Sequence, residues 1–188
     1  MACPIKARTP RRSKLLRATF LVALVAAASL AIARLSRHFA YVAPSAAELV
    51  PKSPEMMARV EQVKDKLGDR LISPQDAADM VNEGAMLIDV RTPKQIVEMT
   101  DSMSPDKAIV DALDDWVKDG KPTTAIKYAY EFGRKIVVSC TAGPKSTLAW
   151  EFLQEHGIEA FVIDGGFKAW SAANLPTKTH KFQQGQLK

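Results

Sequence analysis

The residue best suited to chemistry is Cys140, which opens the run Cys-Thr-Ala-Gly-Pro-Lys-Ser-Thr. The apolar stretch 135–139 before it is typical of a strand, and the pattern over 147–156 predicts a helix after it. The thiol is therefore expected on a short loop at a helix N-terminus, beside the cation Lys145. Such surroundings favour the thiolate over the thiol. Thiolate or persulfide chemistry is the first hypothesis.

Cysteine usage narrows that hypothesis further. The chain holds two cysteines, Cys3 and Cys140, and Cys3 lies in a basic N-terminal leader. The remaining body therefore has one thiol and no disulfide framework. A lone cysteine is more often an inert core residue than a nucleophile, but the loop around Cys140 favours the nucleophile.

The basic charge of the chain is confined to its N-terminus. The net charge of +5 includes eight Lys and Arg residues before Glu48, where no acidic residue occurs. The rest carries 18 Lys and Arg against 21 Asp and Glu, a net charge of −3. A nucleic-acid-binding face therefore receives little support.

The first 40 residues are predicted to be a targeting presequence or a membrane anchor. An uncharged run, 18–33, is shorter than the roughly 20 residues that a bilayer helix needs, and small residues suited to signal cleavage end it. The stretch 41–44, Tyr-Val-Ala-Pro, resembles an element of presequences in algae with complex plastids. We expect removal and plastid localisation, with a mitochondrial location or an anchor through residues 15–35 as alternatives. A persulfide enzyme needs reducing surroundings, which argues against secretion.

Helices and strands alternate along the body of the chain. Ser53-Pro54 and Ser73-Pro74 are helix-start signals, with Ser at the N-cap and Pro at the first helical position. The pattern predicts helices over 54–67, 74–83, 93–99, 109–118, 122–132 and 147–156, strands over 85–90, 135–139 and 160–164, and a polar turn over 101–105. Buried strands alternating with helices predict an α/β fold whose central parallel sheet has helices on both faces. Ligands of such sheets bind at the carboxyl ends of the strands, where Cys140 is expected.

Several motifs together resemble the rhodanese-homology family of sulfurtransferases. They are Ile-Ser-Pro at 72–74, Leu-Ile-Asp-Val-Arg-Thr-Pro at 87–93, Cys-x-x-Gly-x-Lys-Ser at 140–146, and the runs Phe-Leu-Gln-Glu-His-Gly at 152–157 and Gly-Gly-Phe-Lys-Ala-Trp at 165–170. The resemblance implies a single rhodanese domain over 70–178, after a linker at 41–54 and an appended helix at 55–69, and before a flexible tail at 179–188.

The resemblance also implies a reaction and a set of site residues. Cys140 would take a sulfane sulfur from thiosulfate or a related anionic donor and pass it, as a persulfide, to a thiol, cyanide or protein acceptor. The loop residues expected to bind the donor are Thr141, Ala142, Gly143, Lys145 and Ser146. Backbone amides of the loop can stabilise anions, so no metal or other cofactor is implied. Lys145 could instead be a solvated cation at the loop edge, and Ser146 a plain helix N-cap.

Two supporting residues and two departures accompany this set. Asp89 and Arg91 are expected to form a buried structural pair. Pro144 has no amide, so the predicted cradle has one donor fewer. The segment 99–105 and the helical stretch to about residue 132 replace the family's usual sequence after Asp-Val-Arg, which leaves the pocket wall and the donor preference open. His156 and the three Trp residues need no role at the site, and Asp164 is expected to help close it.

Two other readings of the chain stay open. One is a rhodanese fold that serves as a weakly catalytic interaction, sulfur-carrier or sensing module. The other is a Cys-based phosphatase or arsenate reductase, whose loop Cys-x5-Arg is one residue longer. Counting from Cys140, Ser146 occupies the position of that Arg, which disfavours this reading.

Overall fold

A parallel sheet forms the centre of the computed structural model, which describes Pro44, Leu49 and residues 53–187, all within one compact unit. In chain order the elements are α1 (Pro54–Leu67), a 3-10 turn (Gly68–Arg70), β1 (Leu71–Ile72), α2 (Pro74–Asn82), β2 (Met86–Asp89), α3 (Pro93–Thr100), β3 (Met103–Pro105), β4 (Ile109–Val110), α4 (Leu113–Asp119), α5 (Thr124–Glu131), β5 (Ile136–Ser139), α6 (Pro144–Glu155), β6 (Ala160–Ile163), α7 (Gly166–Ala172), β7 (Thr177–Thr179) and a 3-10 turn (Gln184–Gln186). The presequence predicted over 1–40 and most of the linker lie outside the described residues.

The sheet has five parallel strands in the order β1-β6-β5-β2-β4. The neighbouring strands β2 and β5 pair over four residues, from Met86 with Ile136 to Asp89 with Ser139. Every residue of both strands is buried, as expected for strands covered on both faces. The predicted α/β fold with a helix-flanked parallel sheet is therefore confirmed. Asp89 and Ser139 end neighbouring strands, so the chain segments that follow them meet at one edge.

The predicted helix starts are confirmed at Ser53, Ser73 and Thr92. Each side-chain oxygen accepts the amide of the residue three positions on, and each is followed by Pro at the start of its helix. Thr92 also forms a capping box, in which the Gln95 side chain accepts the Thr92 amide at 3.1 Å. Reciprocal satisfaction of two free backbone donors fixes the first turn of α3.

The prediction of a helix over 109–118 was wrong at its beginning. Ile109 and Val110 form β4, which pairs with Ile88 and Asp89 at the edge of the sheet. The chain then stays at that edge because the Asp111 amide donates to the Asp89 carbonyl at 3.0 Å, and α4 begins at Leu113. Tertiary pairing has overridden an apolar spacing that is compatible with a helix.

The polar turn predicted over 101–105 is also partly a strand. Met103–Pro105 pairs antiparallel with Thr177–Thr179 in a second, two-stranded sheet. The His180 amide donates to Ser102 O at 2.8 Å, and its ring contacts Ser104 Oγ at 2.6 Å. The first residues of the stretch that we predicted to be a flexible tail are therefore hydrogen-bonded to the domain.

The appended helix α1 packs against α6. Its buried residues are Met56, Val60, Val63 and Leu67. The Glu151 carboxylate on α6 is buried and forms ion pairs with Arg59, at 2.9 Å, and with Lys66, at 3.5 Å. An apolar stripe and a charge cluster together hold α1 on the domain.

Candidate active site

Cys140 follows the last residue of β5, at the carboxyl edge of the sheet, as the sequence predicts. Its side chain is buried, and its Sγ accepts the Gly143 amide at 3.1 Å and the Ser146 hydroxyl at 3.5 Å. Donors aimed at a sulfur atom stabilise negative charge on it without a metal. Within the described residues, no group of three or more His, Cys, Asp or Glu side chains is arranged to hold a metal ion.

The helix after the loop begins earlier than predicted, at Pro144 instead of Thr147. Its N-cap is Gly143, whose φ of 112° lies in a region that L side chains rarely adopt. Pro144 therefore occupies the first helical position, where the missing amide breaks no helical hydrogen bond. The first bond of the helix runs from Thr147 N to Gly143 O at 3.0 Å, which leaves the amides of Lys145 and Ser146 among the helix-start donors.

Ser146 is not the N-cap, which was the simpler alternative for this residue. Its hydroxyl lies in the first turn of α6 and contacts both Cys140 Sγ and Gly143 O, the latter at 2.8 Å. A hydroxyl has one proton, so it can donate to the sulfur or to the carbonyl but not fully to both. The Ser146 hydroxyl can therefore switch its proton between the Gly143 carbonyl and the sulfur when the charge on the sulfur changes.

The loop is supported from below by the start of α7. The Phe167 amide donates to Cys140 O at 2.7 Å, and the Lys168 amide donates to Thr141 O at 3.0 Å. Gly166 lies so close that a Cβ built on it would be 2.5 Å from Cys140 O and 2.9 Å from Ala142 N. Its φ of +58° also favours glycine. The Gly-Gly sequence before α7 therefore permits the close approach that fixes the Cys140 loop.

A cavity of about 280 Å³ opens beside the thiol. Its lining residues come from α1, the turn between β2 and α3, α3, the Cys140 loop, α6 and α7, and they are Met56, Arg91, Gln95, Met99, Cys140, Thr141, Ala142, Pro144, Lys145 and Lys168. Four of the predicted site residues therefore line one cavity: Cys140, Thr141, Ala142 and Lys145. Gly143 and Ser146 do not line the cavity, but the Gly143 amide and the Ser146 hydroxyl contact the Cys140 sulfur. Asp164 is exposed and does not line this cavity, so the expectation that it closes the site is not supported by its position.

Lys145 is not the solvated cation considered as the alternative. It is 5% exposed, its Nζ donates to Gln95 Oε1 at 2.8 Å, and it forms an ion pair with the Asp114 carboxylate. Burial lowers the pKa of Lys145 from its ordinary value, while Asp114 opposes that shift. Burial thus disfavours the charged form of Lys145, and the Asp114 carboxylate from α4 offsets part of that effect.

Asp89 and Arg91 form the buried pair that was predicted. Arg91 Nε donates to Asp89 Oδ1 at 2.8 Å and Nη2 donates to Oδ2 at 2.5 Å, with both side chains almost fully buried. The remaining guanidinium donors bind Thr100 Oγ1 and Met103 O. This geometry connects the end of β2 to α3 and β3, next to the cavity.

Sequence reasoning missed five lining or pairing residues: Met56, Gln95, Met99, Asp114 and Lys168. For Gln95 a signal was present, because Thr92 and Gln95 have the spacing of a capping box at the start of a helix. Asp114 gave none, because its partner Lys145 lies 31 residues further along the chain. Met56 was assigned to an appended helix whose role the sequence did not indicate.

The rhodanese-like domain model matches residues 73–173, more than half of the chain. The chain belongs to this family. Among curated rhodanese-family relatives, the thiosulfate sulfurtransferase GlpE of Haemophilus influenzae is 31% identical over 109 residues, covering 57% of this chain and 93% of that protein. The GlpE of Actinobacillus succinogenes is 30% identical over 110 residues, covering 57% and 89%. At the level of the family, these relatives support sulfurtransferase activity.

A solved structure agrees with the fold of this rhodanese domain. It is a Rhodopseudomonas palustris protein of unknown function, described as a possible tyrosine phosphatase, with 22% identity and a TM-score of 0.52. The match covers 65% of this chain and 93% of that one. At this identity the similarity concerns architecture alone. Within the described residues, no helix is both long enough and apolar enough to cross a membrane.

Proposed function

We propose that this rhodanese domain is a sulfurtransferase that carries a sulfane sulfur as a persulfide on Cys140. The supporting observation is the placement of Cys140 Sγ, which receives the Gly143 amide at 3.1 Å beside an open cavity. The proposed donor is thiosulfate or a related anion, and the acceptor is a thiol, cyanide or a protein nucleophile. Cys140 touches the reacting atoms, and the amides of residues 141, 142, 143, 145 and 146 would bind the anionic groups.

The reaction has two displacements at sulfur. First, the Cys140 thiolate attacks the outer sulfur of thiosulfate, a Cys–S bond forms, the S–S bond of the donor breaks, and sulfite leaves with the electron pair. Second, cyanide attacks the terminal sulfur of the persulfide, forms thiocyanate, and releases the Cys140 thiolate. After the first step the negative charge is on the terminal sulfur of the persulfide, one bond further out than Cys140 Sγ. The Gly143 amide and the Ser146 hydroxyl are placed to stabilise the thiolate, and the donors of the helix start are candidates for stabilising the persulfide.

The test is thiocyanate release from thiosulfate and cyanide by the full chain. Wild type should turn over and Cys140→Ser should not, while Cys3→Ser should behave as wild type because Cys3 lies outside the domain. An aryl phosphate offered in parallel tests the phosphatase alternative. We expect no hydrolysis of it, because Ser146 stands where phosphatase chemistry requires Arg. A wild-type protein that loads no sulfur from several donors would contradict the proposal.

A second candidate is an interaction or sulfur-sensing module with slow turnover. The observation that favours it is the ion pair between Lys145 and Asp114, which removes a free cation from the donor site. Under this alternative Cys140 would take up one sulfur, but added cyanide would not speed the release of that sulfur. A single-turnover burst without a steady state would identify this behaviour.

We also propose that residues 1–40 direct the domain to a plastid, with a mitochondrial location or membrane association through residues 15–35 as the alternatives. The support is the acid-free leader with its 16-residue apolar run. Imaging a fluorescent fusion of residues 1–50, together with the mass of the mature endogenous protein, tests location and cleavage at once. A diffuse cytosolic signal with an uncleaved chain would contradict all three locations.

A further inference from the structure

The charges around the Cys140 cavity are almost fully paired. Three cations line it: Arg91, Lys145 and Lys168. Arg91 is bound by Asp89 and Lys145 by Asp114. In the part of the chain that the structure describes, Lys168 is the lining cation for which no ion pair is found. A donor with two negative charges would therefore meet less positive charge than three lining cations suggest.

The carboxylate of Asp114 is the unexpected member of this arrangement. Asp114 lies in the first turn of α4, and its side chain is about one-third exposed, whereas the Lys145 side chain is buried. The second acceptor of Lys145, Gln95 Oε1, is fixed because it also accepts the Thr92 amide in the capping box. Two of the three ammonium donors thus point at protein acceptors instead of the cavity.

The remaining wall of the cavity is largely apolar. It is lined by Met56 from α1, Met99 from α3, Ala142 from the loop and Pro144 from the start of α6. The Thr141 hydroxyl donates to Met99 Sδ at 3.3 Å, so even this polar lining group is turned to a thioether. Apolar and polarisable side chains favour an organic group over a small, strongly hydrated dianion.

We propose that Asp114 determines donor specificity by neutralising Lys145, so that the site prefers a singly charged sulfane donor carrying an apolar organic group over thiosulfate. This rests on the proposed sulfurtransferase function. The donor class is R–S–S⁻ or R–SO2–S⁻. The Cys140 thiolate attacks the terminal sulfur, the Cys–S bond forms, the donor's bond to that sulfur breaks, and R–S⁻ or R–SO2⁻ leaves with the electron pair. The Cys140 sulfur is oxidised by one unit and the sulfur of the leaving group is reduced by one unit, so no external oxidant or reductant is needed.

Three donors that differ in charge and size separate the effect of donor charge from the effect of the apolar organic group. Thiosulfate is the dianion, methanethiosulfonate is a small monoanion, and benzenethiosulfonate is a monoanion with an apolar ring. In wild type, kcat/KM should be highest for benzenethiosulfonate and lowest for thiosulfate. Asp114→Asn frees Lys145 while keeping the shape of the side chain, and it should raise kcat/KM for thiosulfate relative to benzenethiosulfonate by about tenfold, the equivalent of about 1.4 kcal/mol. Asp114→Ser, a second charge-removing variant, should shift the ratio in the same direction.

The matched control is Asp115→Asn. Asp115 is exposed and lies on the same turn of α4, so this variant changes the net charge equally without touching Lys145. Its donor ratio should equal that of wild type. On the Asp114→Asn background, Lys145→Gln should abolish the gain for thiosulfate, because the two charges act through one interaction.

The outcomes distinguish this inference from the function on which it rests. If wild type loads from none of the three donors, the sulfurtransferase proposal fails. If wild type loads from all three but the ratio in folded Asp114→Asn and Asp114→Ser equals that of Asp115→Asn, the specificity role of Asp114 is overturned and the proposed function stands.

Discussion

Replacing Gly166 with Ala should disrupt the Cys140 loop through its backbone. The added Cβ would be 2.5 Å from Cys140 O, 2.9 Å from Ala142 N and 3.1 Å from Gly143 N. All three are backbone atoms of the loop that holds the thiol, so a rotamer change cannot relieve the contact. Either α7 or the loop must move, and the bonds from Phe167 N and Lys168 N connect the two.

The size of the effect follows from two costs. A non-glycine residue in the left-handed conformation of Gly166, at φ +58°, costs about 1–2 kcal/mol. Forcing an extra carbon into packed surroundings typically adds about 1–3 kcal/mol. The free energy of unfolding should therefore fall by about 2–5 kcal/mol. Gly157→Ala isolates the first cost, because Gly157 has a similar φ of +71° but no atom within 4 Å of an added Cβ.

Denaturant unfolding and the rate of Cys140 alkylation by iodoacetamide measure the two consequences. Gly157→Ala should lose only the conformational cost and keep the wild-type alkylation and sulfur-loading rates. Gly166→Ala should lose more stability and should also change both rates, because the donors at Sγ are displaced. If the two variants have the same stability and the same reactivity, the close approach of Gly166 does not hold the loop.

The remaining predictions concern charged and titrating groups. Asp89→Asn should lower the free energy of unfolding by about 3–5 kcal/mol, measured by urea denaturation, because it leaves a buried guanidinium without its carboxylate; a loss under 1 kcal/mol would contradict the structural role. Glu151→Ala should cost about 1–3 kcal/mol by losing two ion pairs to α1, whereas Glu159→Ala, which loses one exposed pair with Arg70, should cost at most about 1 kcal/mol; equal losses would contradict the clamping of α1. Burial, with a smaller contribution from Lys178, lowers the pKa of His180 below its ordinary value near 6.5, so the unfolded state binds more protons and stability should fall as the pH drops below 6.5. His180→Gln should flatten this acid-side slope in thermal melts, and an unchanged slope would refute its origin.

Local signals predicted the three longer strands of the sheet, β2, β5 and β6, and the helices that flank it. The helix caps Ser53, Ser73 and Thr92 bind amides three residues further on, and β2 and β5 are continuous apolar runs. Both the cap pattern and the apolar pattern can be recognised in the sequence alone. The short strands β1, β3, β4 and β7 were not predicted. Two or three residues carry too little periodicity, and their conformation is determined by partners distant in the chain.

The same distinction applies to the site. The donors that contact Cys140 Sγ come from residues within six positions of it. The sequence predicted the loop after β5, although the helix start was placed three residues late. What the sequence missed was the environment of Lys145, since Asp114 and Gln95 reach it from two other helices. Spacing identified a cation at the loop, but only the fold shows that a carboxylate neutralises it.

The central claim is that Cys140 carries the transferred sulfur. Intact mass spectrometry of the full chain after incubation with thiosulfate or benzenethiosulfonate tests it most directly. We expect the mass of wild type and of Cys3→Ser to rise by one sulfur atom, the added sulfur to be removed by cyanide, and Cys140→Ser to stay unchanged. A folded wild-type protein that gains no sulfur from either donor, or a Cys140→Ser variant that gains the same mass, would contradict it.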